Sequence, residues 1–196
     1  MSIRIIPFEE KYLNDIRNIN VSVSSHPNKP LEEKLLCQYL YIDYYAINST
    51  DNCFVAIDEE NDEVVGYVIS EPDLDRYANI ILNEYMKEAT NLRKDFEGWL
   101  NNEVAMYSEF NNNYSAHLHM DVKPGHQHQG IGTMLIQEEM KHLKQIDARG
   151  VMLLCSKSNE RANNFYQKNG LDIIAERFGT NLRGKKLWKQ LVFLYI

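Results

Sequence analysis

The spacing of apolar residues changes period several times along the chain, and each change marks a predicted element. Ile3 and Ile5, closed by Ile6-Pro7, read as a short strand ending at a proline. Phe8, Tyr12, Leu13, Ile16 and Ile19 then recur at helical spacing up to Asn20. Ser24 to Pro30 is a loop, and Pro30 suits the first turn of a second helix over Leu31 to Ile47. That helix carries Tyr39, Tyr41, Tyr44 and Tyr45, which predict a core or a groove lining rather than chemistry. Cys53–Ile57 and Val64–Ile69 are apolar runs joined by the acidic linker Asp58–Glu63, the pattern of an antiparallel hairpin. Gly66, inside the second run, marks a bulge or a close backbone approach.

The rhythm breaks from Glu71 to Asn113. Leu74, Tyr77, Ile81, Tyr85 and Met86 predict one helix, and Leu92, Phe96, Trp99 and Leu100 another, so residues 71–113 read as a helical insertion within a single domain. Strand alternation resumes over Tyr114 to Val122, with Leu118, Met120 and Val122 set against His117, His119 and Asp121. A helix follows from Gly130 to about Asp147, ended by Arg149 and a capping Gly150. Val151–Cys155 is a short buried strand, and Asn159–Asn169 a helix capped by Ser158 or Asn159 and stopped at Gly170. Leu171–Glu176 and Leu187–Tyr195 read as closing strands around turns at Gly179-Thr180-Asn181 and Gly184.

Composition narrows the class. The 196 residues are 44% hydrophobic and 25% charged, which is globular rather than disordered. A formal net charge of -7 argues against a nucleic-acid surface, which needs clustered Lys and Arg. No apolar run approaches the ~20 residues of a membrane span, and the start of the chain lacks the pattern of a secretory signal. Cys37, Cys53 and Cys155 have no metal or redox spacing, and Cys53 and Cys155, in apolar runs, read as buried thiols. Together these features predict a cytoplasmic protein with no membrane or nucleic-acid partner. His126 and His128, without Cys or carboxylate at ligand spacing, make a poor zinc site, so no metal is expected.

The chemistry centres on Gln127-His128-Gln129-Gly130-Ile131-Gly132-Thr133, a glycine turn between a strand and a helix. Such a turn aims backbone N–H groups at the helix N-terminus, where an anion binds. It is not the Walker loop, because no Gly-Lys-Ser/Thr follows, nor the Rossmann fingerprint. It does match Gln/Arg-x-x-Gly-x-Gly/Ala through Gln127, Gly130 and Gly132, preceded by Val122-x-Pro124. Downstream stands Asn159-x-x-Ala162-x-x-Phe165-Tyr166-x-x-x-Gly170-Leu171. The pair of motifs, separated by one helix and one strand, is more specific than either.

From about His117 to Glu176 the chain resembles the acetyl-CoA-binding half of the GNAT N-acetyltransferases. The element order around it is compatible with that fold: a mixed α/β, mostly antiparallel central sheet flanked by helices. The resemblance implies acetyl-CoA as cosubstrate and a primary amine as acceptor, small molecule or peptide. It implies that the backbone of Gln127 to Thr133 cradles the pyrophosphate, and that the edge of Met120–Val122 pairs with the pantetheine arm. It implies that Tyr166 protonates the departing thiolate, while Asn159 binds pantetheine or caps its helix. The family often places a glutamate early on the cofactor strand, where this chain has Ser115-Ala116. The proton acceptor for the amine is therefore sought among Asp121, His119 and His117, with Glu71 and Glu109, bordering the insertion, as further options. No Cys or Ser motif argues for a covalent acyl-enzyme. Two other readings stay open: a weak or inactive acyl-CoA-binding module, and a nucleotide-binding regulator. Homodimers occur among such folds, although no residue here argues for one.

Overall fold

A computed structural model describes residues 2–23 and 30–187. Seven strands form one sheet in the order β1-β2-β3-β4-β5-β7-β6: β1 Ile3–Pro7, β2 Cys53–Asp58, β3 Glu63–Glu71, β4 Ala116–Val122, β5 Gly150–Ser156, β6 Asp172–Arg177 and β7 Thr180–Lys186. Neighbours are antiparallel except β4 and β5, which run parallel as the crossover through a helix requires. The predicted mostly antiparallel α/β sheet is the one observed.

Alternation divides the core into two layers. On one face β2 and β3 present Cys53, Val55, Ile57, Tyr67 and Ile69 to helices α1 Leu13–Val23, α2 Leu31–Gln38 and α3 Tyr44–Asn48. The same layer is closed by the 71–113 insertion: α4 Leu74–Ile80, α5 Met86–Leu92 and α6 Phe96–Phe110. On the other face Phe54, Ala56, Val65, Val68 and Leu118 meet Ile131, Leu135 and Leu143 of α7 Ile131–Gln145. Helix α8, Glu160–Lys168, packs beside α7 on that face.

The predicted helix over 31–47 is α2 and α3 joined by a π turn at Tyr39–Asp43, and α4 and α5 are joined by another at Ile81–Tyr85. Tyr44 and Tyr45 are fully buried, as their spacing suggested. Gly66 meets both expectations placed on it. The register shifts opposite it, and a Cβ there would lie 3.1 Å from both the Asp121 carbonyl oxygen and a Leu135 methyl.

Two predicted boundaries are wrong. Helix α7 ends at Gln145, not at an Arg149-Gly150 cap; Asp147 takes the left-handed position, φ 61°, and Ala148 N–H bonds the Leu143 carbonyl at 2.9 Å. Asp tolerates this conformation better than most side chains, so no glycine was needed. Gly150 instead opens β5, where a Cβ would stand 2.6 Å from the Asn113 carbonyl oxygen. The last described strand, Thr180–Lys186, occupies residues read from sequence as turns at Thr180-Asn181 and Gly184. Phe178 (φ 49°) and Gly179 (φ 75°) make a two-residue turn between Arg177 and Thr180, so β7 begins at once. Gly184 is not a turn but a flat spot under the Tyr114 ring, 2.7 Å from where its Cβ would be. The loop over 24–29 and most of the segment 187–195 lie outside the described residues.

Candidate active site

Strands β4 and β5 pair only at Ala116–Val151 and His117–Met152 and then part. Beyond His117 the β5-facing edge of β4, including Met120 and Val122, has no strand partner, so its backbone groups are available to an extended amide chain. The glycine loop stands at the end of this opened edge. Gln127 Nε2 donates to the Val122 carbonyl at 2.9 Å and Gln129 Nε2 to the Gly125 carbonyl at 3.1 Å, so both side chains brace the loop. Gly125, His128 and Gly130 all have positive φ, and Gly130 is the N-cap of α7. Helix geometry leaves the N–H groups of Ile131, Gly132 and Thr133 without intrahelical acceptors. A Cβ on Gly130 would meet nothing within 4 Å, whereas one on Gly132 would lie 3.2 Å from the Phe165 ring. The first glycine takes a left-handed φ of 82°; the second lets α8 approach α7.

Helix α8 carries Tyr166. Asn159 caps it, accepting from Ala162 N–H at 3.0 Å, and Gly170 (φ 78°) ends it, with Leu171 N–H returning to the Tyr166 carbonyl at 3.0 Å. Buried Asn163 locks the helix to the sheet: its amide donates to the Ser156 carbonyl at 2.8 Å, and its oxygen accepts from Asn181 and from Arg183 Nε at 2.8 and 2.9 Å. Burial and the Asp121 charge push the Tyr166 phenol above its ordinary range, while Arg183 offsets part of the rise. Tyr166 therefore stays protonated at neutral pH.

On the opposite side of β4, Asp121, His119 and His117 share one face, as the alternation predicted, but their surroundings differ. Asp121 accepts from Tyr67 Oη at 2.5 Å and, more weakly, from Asn20 Nδ2 at 3.5 Å. Burial nevertheless raises its carboxyl to about 6, against these hydrogen bonds. Desolvation lowers His119 to about 4 and His117 well below the usual imidazole range, so both are neutral at pH 7 and weak bases. Glu71 is fully buried, held by Tyr44 Oη and Asp73 N–H at 2.9 and 3.0 Å. Glu109 is exposed and pairs with Arg177 at 2.8 Å. Sequence reasoning missed Tyr67 and Asn20, which hold Asp121 from β3 and α1; the β3–β4 register reveals the first and the docking of α1 the second. It also missed Glu103, which reaches this face from the insertion. Among the described residues, no group of three His, Cys, Asp or Glu side chains could hold a metal ion.

No curated protein matches this sequence. Solved structures do match in fold. SsHAT shares 20% identity with a TM-score of 0.84, covering 96% of this chain and 100% of its own. The PaiA N-acetyltransferase from Thermoplasma acidophilum, solved in complex with coenzyme A, shares 15% identity with a TM-score of 0.63, covering 95% and 99%. The polyamine N-acetyltransferase of Drosophila melanogaster, which forms N-acetylagmatine, shares 12% with a TM-score of 0.65, covering 94% and 100%. The acetyltransferase (GNAT) family model matches residues 13–171, a span that includes α1, the insertion, the glycine loop and Tyr166. With the parted β4–β5 pair and the loop at its mouth, that match settles the family: the chain belongs to the GNAT acetyltransferases.

Proposed function

We propose that this protein transfers an acetyl group from acetyl-CoA to a primary amine, by direct attack of the free amine on the thioester. The observation that carries the reading is the meeting, around the parted end of β4, of a glycine loop opening a helix N-terminus, a raised carboxyl and a protonated phenol. The N–H groups of Gln127 to Thr133 take the pyrophosphate without a lysine. The free edge of β4 at Met120 and Val122 takes the pantetheine amides, which sets the thioester carbonyl beside backbone donors.

Asp121 is the group poised to receive the proton of the substrate ammonium. Its carboxyl near 6 lies below an ordinary amine of ~10, and burial of the ammonium in the same site narrows that gap. The amine nitrogen bonds the acetyl carbon, the carbon–sulfur bond breaks, and Tyr166 supplies the proton to the sulfur. Protonation of Asp121 removes the negative charge that adds to burial in raising the Tyr166 phenol, so the first transfer eases the second. Burial also pushes the Cys155 thiol up, which disfavours a covalent relay through it. Amines like those of the polyamine N-acetyltransferase are the first acceptors to test.

The absence of a glutamate at Ser115-Ala116 favours one second reading, an acyl-CoA-binding module without turnover. CoA release across a panel of primary amines, measured beside calorimetric binding of acetyl-CoA, separates the two. Binding with release supports the enzyme and binding with no release the module. Absence of binding removes both, and competition by ATP alone would indicate a nucleotide regulator.

A further inference from the structure

Side chains from three elements meet at Asp121. Tyr67 of β3 stands directly opposite it in the antiparallel register and is fully buried in the core layer that α1 covers. The Tyr67 hydroxyl donates to Asp121 Oδ2 at 2.5 Å, the separation of a charge-assisted O–H···O bond. Asn20 of α1 turns its amide nitrogen to both groups, reaching Tyr67 Oη at 3.3 Å and the same Oδ2 at 3.5 Å. The amide oxygen could not take that place, because a carboxylate offers it no proton. Tyr67 Oη therefore accepts from Asn20 and has its single proton committed to Asp121. Gly66 beside it keeps the strands close, since a Cβ there would lie 3.1 Å from the Asp121 carbonyl oxygen.

The two donors divide the carboxyl. Both reach Oδ2, and Oδ1 has no partner among the described residues. Oδ1 is not one of the sealed polar atoms, and Asp121 as a whole is partly exposed, so the free oxygen is open to a substrate or to water. The χ2 torsion of an aspartate is soft and two-fold, and an unclamped carboxyl swings about it. A base has to hold its accepting oxygen within about 0.5 Å and about 10–20° of the productive geometry. A ring fixed by packing and locked to one oxygen supplies that constraint. Pairing one oxygen while leaving the other open is what a base needs, and what a purely stabilising contact does not. Around the carboxyl also stand Tyr166 of α8, whose phenol feels its charge, and neutral His119 on the same strand face; burial, Tyr67 and Asn20 set its titration.

We infer that Tyr67 and Asn20 are positioning residues for acetyl transfer, holding Asp121 by Oδ2 so that Oδ1 faces the ammonium of the acceptor. The N–H bond breaks with its electron pair left on nitrogen, and the proton bonds Oδ1. The inference rests on the acetyl-transfer reading with Asp121 as base, and adds the two residues that aim it.

The test compares the wild type with Tyr67→Phe and Asn20→Leu. The first readout is the pH dependence of the rate at saturating acetyl-CoA, with the fastest acceptor among agmatine, n-butylamine, tryptamine and a lysine-containing peptide. The second is the NMR titration of the Asp121 carboxyl carbon, assigned with Asp121→Asn. In the wild type the rising limb and the titration should coincide near 6. Tyr67→Phe keeps the ring and removes one donor to the charged form, so both should move up by about one pH unit or more. The plateau rate should also fall about tenfold through misaiming of the base, with the KM for acetyl-CoA held within about twofold. Asn20→Leu, similar in size and at a partly buried position, should move both the same way by about half a pH unit. A limb that stays in place in Tyr67→Phe overturns the inference, even where melting temperature falls, because that is all a structural contact gives. A titration that moves without the limb overturns it too. Should Tyr67→Phe fail to fold, Asn20→Leu decides by the same two readouts. If none of the amines releases CoA, the acetyl-transfer reading fails and the inference falls with it; release with an unmoved limb leaves that reading standing and removes only the positioning role.

Discussion

Asp121 and Tyr166 differ in what burial does for them. For the carboxyl, burial moves the titration into the range where a base is useful; for the phenol, it secures the protonated form. The rate at saturating acetyl-CoA should therefore rise with pH through about 6 and level off above it, as Asp121 loses its proton. Asp121→Asn should remove that limb and lower kcat by about a hundredfold, within the range of general-base loss; an unchanged pH–rate profile would exclude Asp121. Tyr166→Phe should lower kcat at least about tenfold while leaving acetyl-CoA affinity intact. A drop in affinity with kcat preserved would make the tyrosine a packing residue. Both candidates were legible in the sequence, Tyr166 through its motif and Asp121 through strand alternation. The partners that set their protonation were not. Tyr67 and Asn20 lie 54 and 101 positions from Asp121, and only the β3–β4 register and the docking of α1 bring them near.

Among the elements, α8 shows how little of a helix's placement its own sequence holds. Its cap and stop could be read at Asn159 and Gly170, and both hold. What fixes it to the sheet is Asn163, which answers Asn181 and Arg183 of β7, a strand read from sequence as turns. Arg183 is 4% exposed and spends its guanidinium on neutral acceptors: Asn163, the Leu171 carbonyl and Gln167. Asn163→Ala should leave that charge short of an acceptor and destabilise the fold by about 2–4 kcal/mol. The measurement is chemical denaturation, and a change below about 0.5 kcal/mol would show the contact to be dispensable. The same element logic applies to Gly132, where a Cβ would lie 3.2 Å from the Phe165 ring of α8. A glycine's neighbour across a helix pair is invisible to local pattern.

Across the whole molecule, the sheet separates a core layer under α7 and α8 from a second layer roofed by the insertion. Glu139 of α7 is the odd member of the layer under α7, fully buried with neither carboxyl oxygen partnered. Burial raises its carboxyl to about 8, which the nearby Ser70 hydroxyl only partly relieves. In the unfolded chain the same group titrates near 4.5, so its ionisation costs native stability progressively between pH 4.5 and about 8. Glu139→Gln should accordingly raise Tm at pH 8 by several degrees, at about 2–4 °C per kcal/mol for a chain of this size, and by little at pH 4. A gap that does not widen with pH would show that Glu139 is stabilised in some other way. On this scale, local signals alone determined the alternation of β4, the glycine loop and the capped helix with Tyr166. Periodicity, caps and turns act between residues a few positions apart, so a single sequence carries them. Tertiary structure decided the parting of β4 from β5, the reversal of roles at Gly150 and Gly184, and the charge states of Asp121, His119 and Glu103. Each of these depends on burial and on partners from distant segments, which is where desolvation, the largest influence on all three groups, is set.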